Sequence, residues 1–211
     1  MDRDRVWDHT VAARESLAAT LATLSEDQWN HPSLCEGWRV RDVAAHIIAG
    51  PQLGWAATLR LVPGLWRGYN GMTLRDGRRR GDAPIAEILA QYDRFADVRR
   101  APAVVTYVEP LTDALVHSQD ILRPLGIAHP MPPEAAAVAA TRARVVARLI
   151  MPRAARAARG RRFVATDTDW SVGKGRVVEG PAGELLMLIT GRDPDWAQLS
   201  GPGVPIRTLG E

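Results

Sequence analysis

Two histidines and a carboxylate carry the strongest chemical signal in this sequence. His46 closes the segment L-C-E-G-W-R-V-R-D-V-A-A-H, Leu34 to His46, and His117 lies within L-T-D-A-L-V-H-S-Q-D-I, Leu111 to Ile121. Both segments read as apolar helices. Asp113 precedes His117 by four residues, so in a helix of about 3.6 residues per turn the two share a face, about 6 Å apart along the axis. Helical zinc sites supply paired ligands at this spacing. With His46 brought in by a neighbouring antiparallel helix, the three form a two-histidine, one-carboxylate set that leaves positions open for water, a thiol or a substrate. Such donors suit Zn²⁺, Ni²⁺ or Fe²⁺. Asp120, three residues after His117, is placed either to orient that imidazole from behind or to face water. Spacing alone leaves an alternative open: a solvated Asp113 beside a packed His117, with His46 as a core histidine, gives the same pattern.

The single cysteine, Cys35, excludes an internal disulfide and a multi-cysteine zinc site. No base is identifiable beside it in the sequence, and it reads as a turn residue. Charge is unevenly distributed. Residues 1–134 hold 15 Arg against 17 acids, whereas residues 135–211 hold 12 Arg plus Lys against 7 acids. Between Ala135 and Thr166 stand eight arginines and no acid. This run reads as an anion site or as a solvated helix face. Aromatic residues do not interleave with it, so a nucleic-acid stacking platform is not expected. No apolar run reaches the roughly 18 residues of a membrane span. The charged start M-D-R-D-R-V-W-D-H-T lacks an apolar signal region, so a cytoplasmic location is expected.

These residues need helices to position them. Trp7, Val11, Leu17, Leu21 and Leu24 give Arg5 to Leu24 a helical period. Ser25-Glu26-Asp27 starts a short turn or helix that His31-Pro32-Ser33 breaks. A helix from near Trp38 carries His46 until Pro51, and an apolar stretch resumes over Leu53 to Val62. Residues 63–82, with five glycines and Arg78 to Arg80, read as an exposed loop. Asp82 is expected to cap a helix with Pro84 in its first turn and an apolar face of Ile85, Ile88, Leu89, Tyr92 and Phe95. Pro110 opens the His117 helix, and Pro124 and Gly126 end it. Pro130 to Pro133 forms a hinge, followed by an Ala-rich helix to about Met151. After Gly160 the pattern changes: Arg162 to Thr166, continued by Thr168 to Val172, and Arg176 to Glu179 read as strands joined in a hairpin at Gly173-Lys174-Gly175. A helix from Pro181 stops at Gly191, and Ser200 to Pro205 suggests one more short strand. The fold class is α+β, with units at residues 1–129 and 130–211.

W-R-V-R-D-V-A-A-H resembles the G-W-[ST]-x-x-[DE]-x-x-x-H segment of the DinB-like, mycothiol-dependent maleylpyruvate isomerase family. D-A-L-V-H-S-Q-D-I-L-R-P-L-G is similar to that family's second metal segment. F-V-A-T-D-T-D-W-S-V-G-K-G-R-V-V-E-G-P-A-G-E-L-L-M-L-I-T-G-R resembles its C-terminal region, so the likeness spans nearly the whole chain. It implies an N-terminal four-helix bundle and a small C-terminal α/β part. It also implies a divalent metal, with Zn favoured, on His46, Asp113 and His117, and mycothiol as thiol cosubstrate. Two departures stand out. The family's isomerase has Glu where this chain has Asp113, and Arg39 replaces the Ser/Thr that caps the helix, with Asp42 at the capping-box position. The expected function is a thiol-using isomerase or S-transferase acting on a small electrophile, with Arg123 holding a substrate carboxylate. No catalytic acid or base is identified. The alternative is a non-catalytic ligand- or protein-binding member of the same fold. The apolar helix faces leave room for a homodimer.

Overall fold

The computed structural model describes residues 1–52, 69–101, 105–150, 155–156 and 158–205. The chain divides into two compact units, Met1–His129 and Pro130–Glu211. The fold is α+β, mostly helical with a small three-stranded sheet near the C-terminus.

The first unit is a helical bundle. Asp2 caps α1 (Arg3–Leu21) by accepting from Arg5 N at 2.9 Å. The buried stripe of α1 is Val6, Trp7, Thr10, Arg14, Leu17 and Leu21, rotated from the expected face so that an arginine occupies a core position. Ser25 and Gln28 close a capping box on α2 (Glu26–Asn30). Next comes α3 (Val40–Ala49), ending in a 3-10 turn over Gly50–Gln52. The helices α4 (Tyr69–Gly81), α5 (Ile85–Phe95) and α6 (Glu109–Leu122) follow. The core joins Leu17 and Leu21 of α1 to Val43, Ile47 and Ile48 of α3, Ile88 and Tyr92 of α5, and Ile121 and Leu122 of α6. The Tyr92 hydroxyl donates to Ala44 O at 2.9 Å.

Two local expectations need correction here. The glycine-rich segment read as a loop is helical over Tyr69–Gly81. Two of its glycines serve packing: a Cβ on Gly77 would lie 2.6 Å from the Trp38 ring, and one on Gly81 would lie 2.0 Å from Asp42 Oδ1. Close approach of α4 to α3 offsets the poor helix propensity of glycine. Asp82 does not cap α5. Its Oδ1 accepts from Arg39 Nη2 at 2.7 Å, and Pro84 opens the helix without a side-chain cap. The expected apolar stretch Leu53 to Val62 and the first residues of the glycine-rich segment lie outside the described residues.

Arg14 is 1% exposed, and its one hydrogen bond among the described residues runs from Nη1 to Val98 O at 3.1 Å, leaving Nε without an acceptor. Burial lowers its pKa more than the charges of Tyr92 and Asp113 raise it. The native fold therefore carries an expensive buried cation. Arg14→Met, which keeps the length and removes the charge, is expected to stabilise the protein by about 1–3 kcal/mol, read as a higher urea midpoint at unchanged slope.

The second unit packs α7 (Pro133–Ile150) against α8 (Ala182–Ile189). Ala135, Ala136, Ala139 and Ala140 are fully buried, as are Leu185, Leu186 and Ile189. Small side chains let the two helices approach closely. The sheet has the order β2-β1-β3, with β1 at Arg161–Ala165, β2 at Ser171–Gly173 and β3 at Arg176–Gly180. The expected hairpin across Gly173-Lys174-Gly175 does not form. Instead β1 pairs antiparallel with β2 and parallel with β3, Phe163 lying opposite Val172 on one side and Val178 on the other. Phe163 and Val178 are both fully buried, so the parallel pairing brings the two core side chains of the sheet together. The tail expected as a strand adds one bridge, Ser200 to Glu179.

Candidate functional site

The site is built where α3 meets α6. Arg39, at the N-cap of α3, offers no side-chain acceptor. Asp42 instead accepts the Arg39 backbone N–H at 2.9 Å, Arg39 Nε at 3.1 Å and Nη2 at 2.8 Å. The helix start is thus held by a carboxylate that is 1% exposed and that sits one turn before His46. Next to it, the turn over residues 33–38 closes through Ser33 N to Trp38 O and Trp38 N to Cys35 O, both 2.9 Å. Gly37 takes a φ of +78°, which only glycine adopts without strain. Leu34 N donates to Asp120 O at 2.9 Å, tying this turn to α6.

These constraints bring five side chains together. The His46 and His117 rings meet edge to face, centroids 5.3 Å apart, and the Trp38 ring lies 5.1 Å from His46. His117 Nδ1 lies 2.8 Å from Asp120 Oδ2. Cys35 Sγ lies 3.2 Å from the same oxygen and 3.6 Å from His117 Nδ1. Asp120 is fully buried and the His117 side chain is 15% exposed. An ionised carboxylate only accepts, so both Nδ1–H and S–H point at Asp120 Oδ2. His117 then has Nε2 left for another partner, the usual result of a carboxylate behind a ligating histidine.

Electrostatics divides the two imidazoles. Burial pushes His46 down to about 3, helped by the charges of His117 and Arg80 against that of Asp76. His46 is therefore neutral at pH 7, with a lone pair to offer. Burial alone would lower His117 too, but its hydrogen bonds with Asp120 and Cys35 outweigh it and raise the group to about 10.

The two shifts give opposite slopes. Between about 3 and 6.5 the unfolded chain binds a proton at residue 46 that the folded chain refuses, so stability falls as pH falls. Between 6.5 and about 10 the folded chain keeps a proton on His117 that the unfolded chain has lost, so stability falls as pH rises. The urea midpoint of metal-free protein is expected to peak near pH 6.5, and His117→Gln is expected to flatten the alkaline limb.

Asp113 is exposed on α6, one turn before His117. Its charge is felt by Arg14 of α1. The tight donor cluster among the described residues is Cys35, His117 and Asp120, whose ligand atoms all lie within 4.8 Å of one another. Asp113 and His46 are not part of that cluster. Arg123, at the end of α6, donates from Nε to Gln119 Oε1 at 2.8 Å, and Gln119 Nε2 in turn donates to His129 O at 2.6 Å. Sequence reasoning missed the surroundings of Cys35, for which no base was identified and beside which His117 and Asp120 now stand. The contact joins residues 82 and 85 positions apart, and no local pattern signals it.

A helical bundle that turns two imidazoles toward each other, with a buried carboxylate behind one, has the donor chemistry of a metal centre set between helices. Residues 10–122 match the family described as the mycothiol maleylpyruvate isomerase N-terminal domain, and the chain belongs to that family. Its fold is similar to a solved mycothiol-dependent maleylpyruvate isomerase at 13% identity, with a TM-score of 0.64, covering 97% of this chain and 95% of that one. A histidine-to-alanine mutant of a mycothiol-dependent maleylpyruvate isomerase matches at 11% identity with the same TM-score and coverage. None of the curated proteins matches the sequence. No helix among the described residues is long and apolar enough to cross a membrane.

Proposed function

We propose that this chain is a divalent-metal-dependent enzyme that uses mycothiol to isomerise, or transfer sulfur to, a small electrophilic substrate. The observation that carries this reading is the pairing of a neutral His46 with a His117 whose Nδ1 is engaged by Asp120. His46, His117 and Asp113 would hold the ion, with Zn²⁺ favoured by the donor set. Bound there, the ion supplies the Lewis acidity that keeps a thiol deprotonated at neutral pH. Asp120 fixes the orientation of His117, Trp38 walls His46, and Cys35 shares the acceptor behind His117. Arg123 is assigned the substrate carboxylate. Isomerisation needs only thiolate addition to a double bond, rotation about the resulting single bond and expulsion of the same thiolate. Nothing is transferred in the net reaction, and no protein base is required once the thiol is ionised. The cytoplasm, where the thiol is kept reduced, is the matching compartment.

The exposed position of Asp113 favours a second reading, a member of the family that binds a ligand in this fold without turnover. The discriminating experiment incubates zinc-loaded protein with mycothiol and maleylpyruvate and follows isomerisation spectroscopically. Thiol-dependent turnover is expected. Bound zinc with no turnover of this or a panel of related electrophiles would favour the binding reading.

A further inference from the structure

We propose that the C-terminal unit holds a second, independent binding site, for a small polyanion carrying phosphate or carboxylate groups. It is a cavity of about 680 Å³ between the third turn of α7, the turn leading into β1, and the β2–β3 turn. Arg144, Arg159 and Lys174 line it, together with Ala158, Gly160 and Gly173. An adjoining hollow of about 620 Å³ shares Gly173 and Lys174 and adds Arg162. Four cations thus face one concave region, and among the described residues no carboxylate lines either part of it.

Like charges gathered on low-dielectric walls repel one another and focus a positive field into the cleft. Arg159 and Lys174 form no ion pair with any described residue. The cations come from separate elements, so the excess is a product of the fold rather than one helix face. Backbone sterics hold the lining in place: a Cβ on Gly173, at φ +97°, would lie 2.3 Å from Arg161 O. This accounts for part of the acid-free arginine run over residues 135–166.

Size and lining select the ligand class. The volume lies within the roughly 300–1,000 Å³ of small-molecule sites. Among the described residues no aromatic side chain lines the cavity to stack a base. Guanidinium groups pair with phosphate and carboxylate oxygens in the same bidentate geometry, so the shared chemistry is that of a small polyanion.

Isothermal titration of the full chain, at constant ionic strength, with inorganic pyrophosphate and with citrate tests this. Saturable one-to-one binding is expected, at least about tenfold weaker in Arg159→Ala/Lys174→Ala. Arg75→Ala/Arg94→Ala, which removes the same charge from exposed positions of the first unit, is expected to bind like wild type. All four side chains are exposed, so both variants should fold, as unchanged melting temperatures would verify. Preference for pyrophosphate assigns a phosphate ester, and preference for citrate a polycarboxylate. Absence of saturable binding, equal weakening in both variants, or tighter competition by a single-stranded oligonucleotide overturns the proposal.

Discussion

Alanine at both His46 and His117 is expected to reduce bound metal from about one equivalent to background, measured by elemental analysis after dialysis. The double variant removes both imidazoles of the pair, leaving carboxylates and one thiol, which hold a borderline-soft ion poorly without nitrogen donors. Full retention of metal would sink the assignment. Single variants then locate the ion. If His46, Asp113 and His117 hold it, Asp113→Ala loses metal while Cys35→Ser keeps most of it. The reverse result would move the ion to the side of Cys35 and Asp120. Asp120→Asn is expected to lower affinity about 10- to 100-fold, because the partner behind a ligating histidine sets its orientation and basicity. Binding must also displace the proton that His117 holds at neutral pH, so affinity should rise with pH toward about 10. Asp113→Glu, which supplies the longer arm that the family resemblance implies at this position, is expected to tighten binding.

Asp42→Ala is expected to be the most damaging single change outside the histidine pair, at about 2–4 kcal/mol. Asp42 is 1% exposed and answers three donors of Arg39. Its loss leaves the N-cap amide unsatisfied and a guanidinium without its buried partner. The figure stays below that of a fully buried ion pair because the Arg39 side chain is 36% exposed and solvent screens it. Arg39→Ser provides the contrast. A serine supplies its own cap to α3 but leaves the buried Asp42 carboxylate with the backbone amide alone, so this change is expected to cost about 1–2 kcal/mol, less than Asp42→Ala. Urea denaturation of both variants reads the difference. Equal losses would show that the ion pair, not the cap, holds the helix start. Either loss reaches the site, since Asp42 and His46 lie one turn apart on α3.

The helices that carry His46 and His117 were legible because apolar period and helix-stop residues are local properties. Pro110, sitting in the first turn of α6, and Gly126, at φ +68° just past its end, are examples. The Asp113–His117 spacing follows from the helical repeat alone, whereas that repeat left Asp120 free to face water, and only packing set it behind His117 at 2.8 Å. The helix over Tyr69–Gly81 was not legible. Glycine propensity argues against it, and only contact of Gly77 with Trp38 and of Gly81 with Asp42 reverses that preference. Strand pairing was hidden for a similar reason. Gly173 and Gly175 look like a hairpin turn, but burial of Phe163 beside Val178 is a non-local gain that selects the parallel register.

The sequence by itself determined the residue types, the local helices and the face shared by Asp113 and His117, because these depend on neighbours within about one turn. Only the tertiary structure decided that Cys35 joins His117 and Asp120, that Arg14 is buried, and that Asp42 does the capping Arg39 cannot. Each of these is settled by desolvation and by hydrogen bonds that form once distant segments pack, and neither leaves a trace in the local pattern.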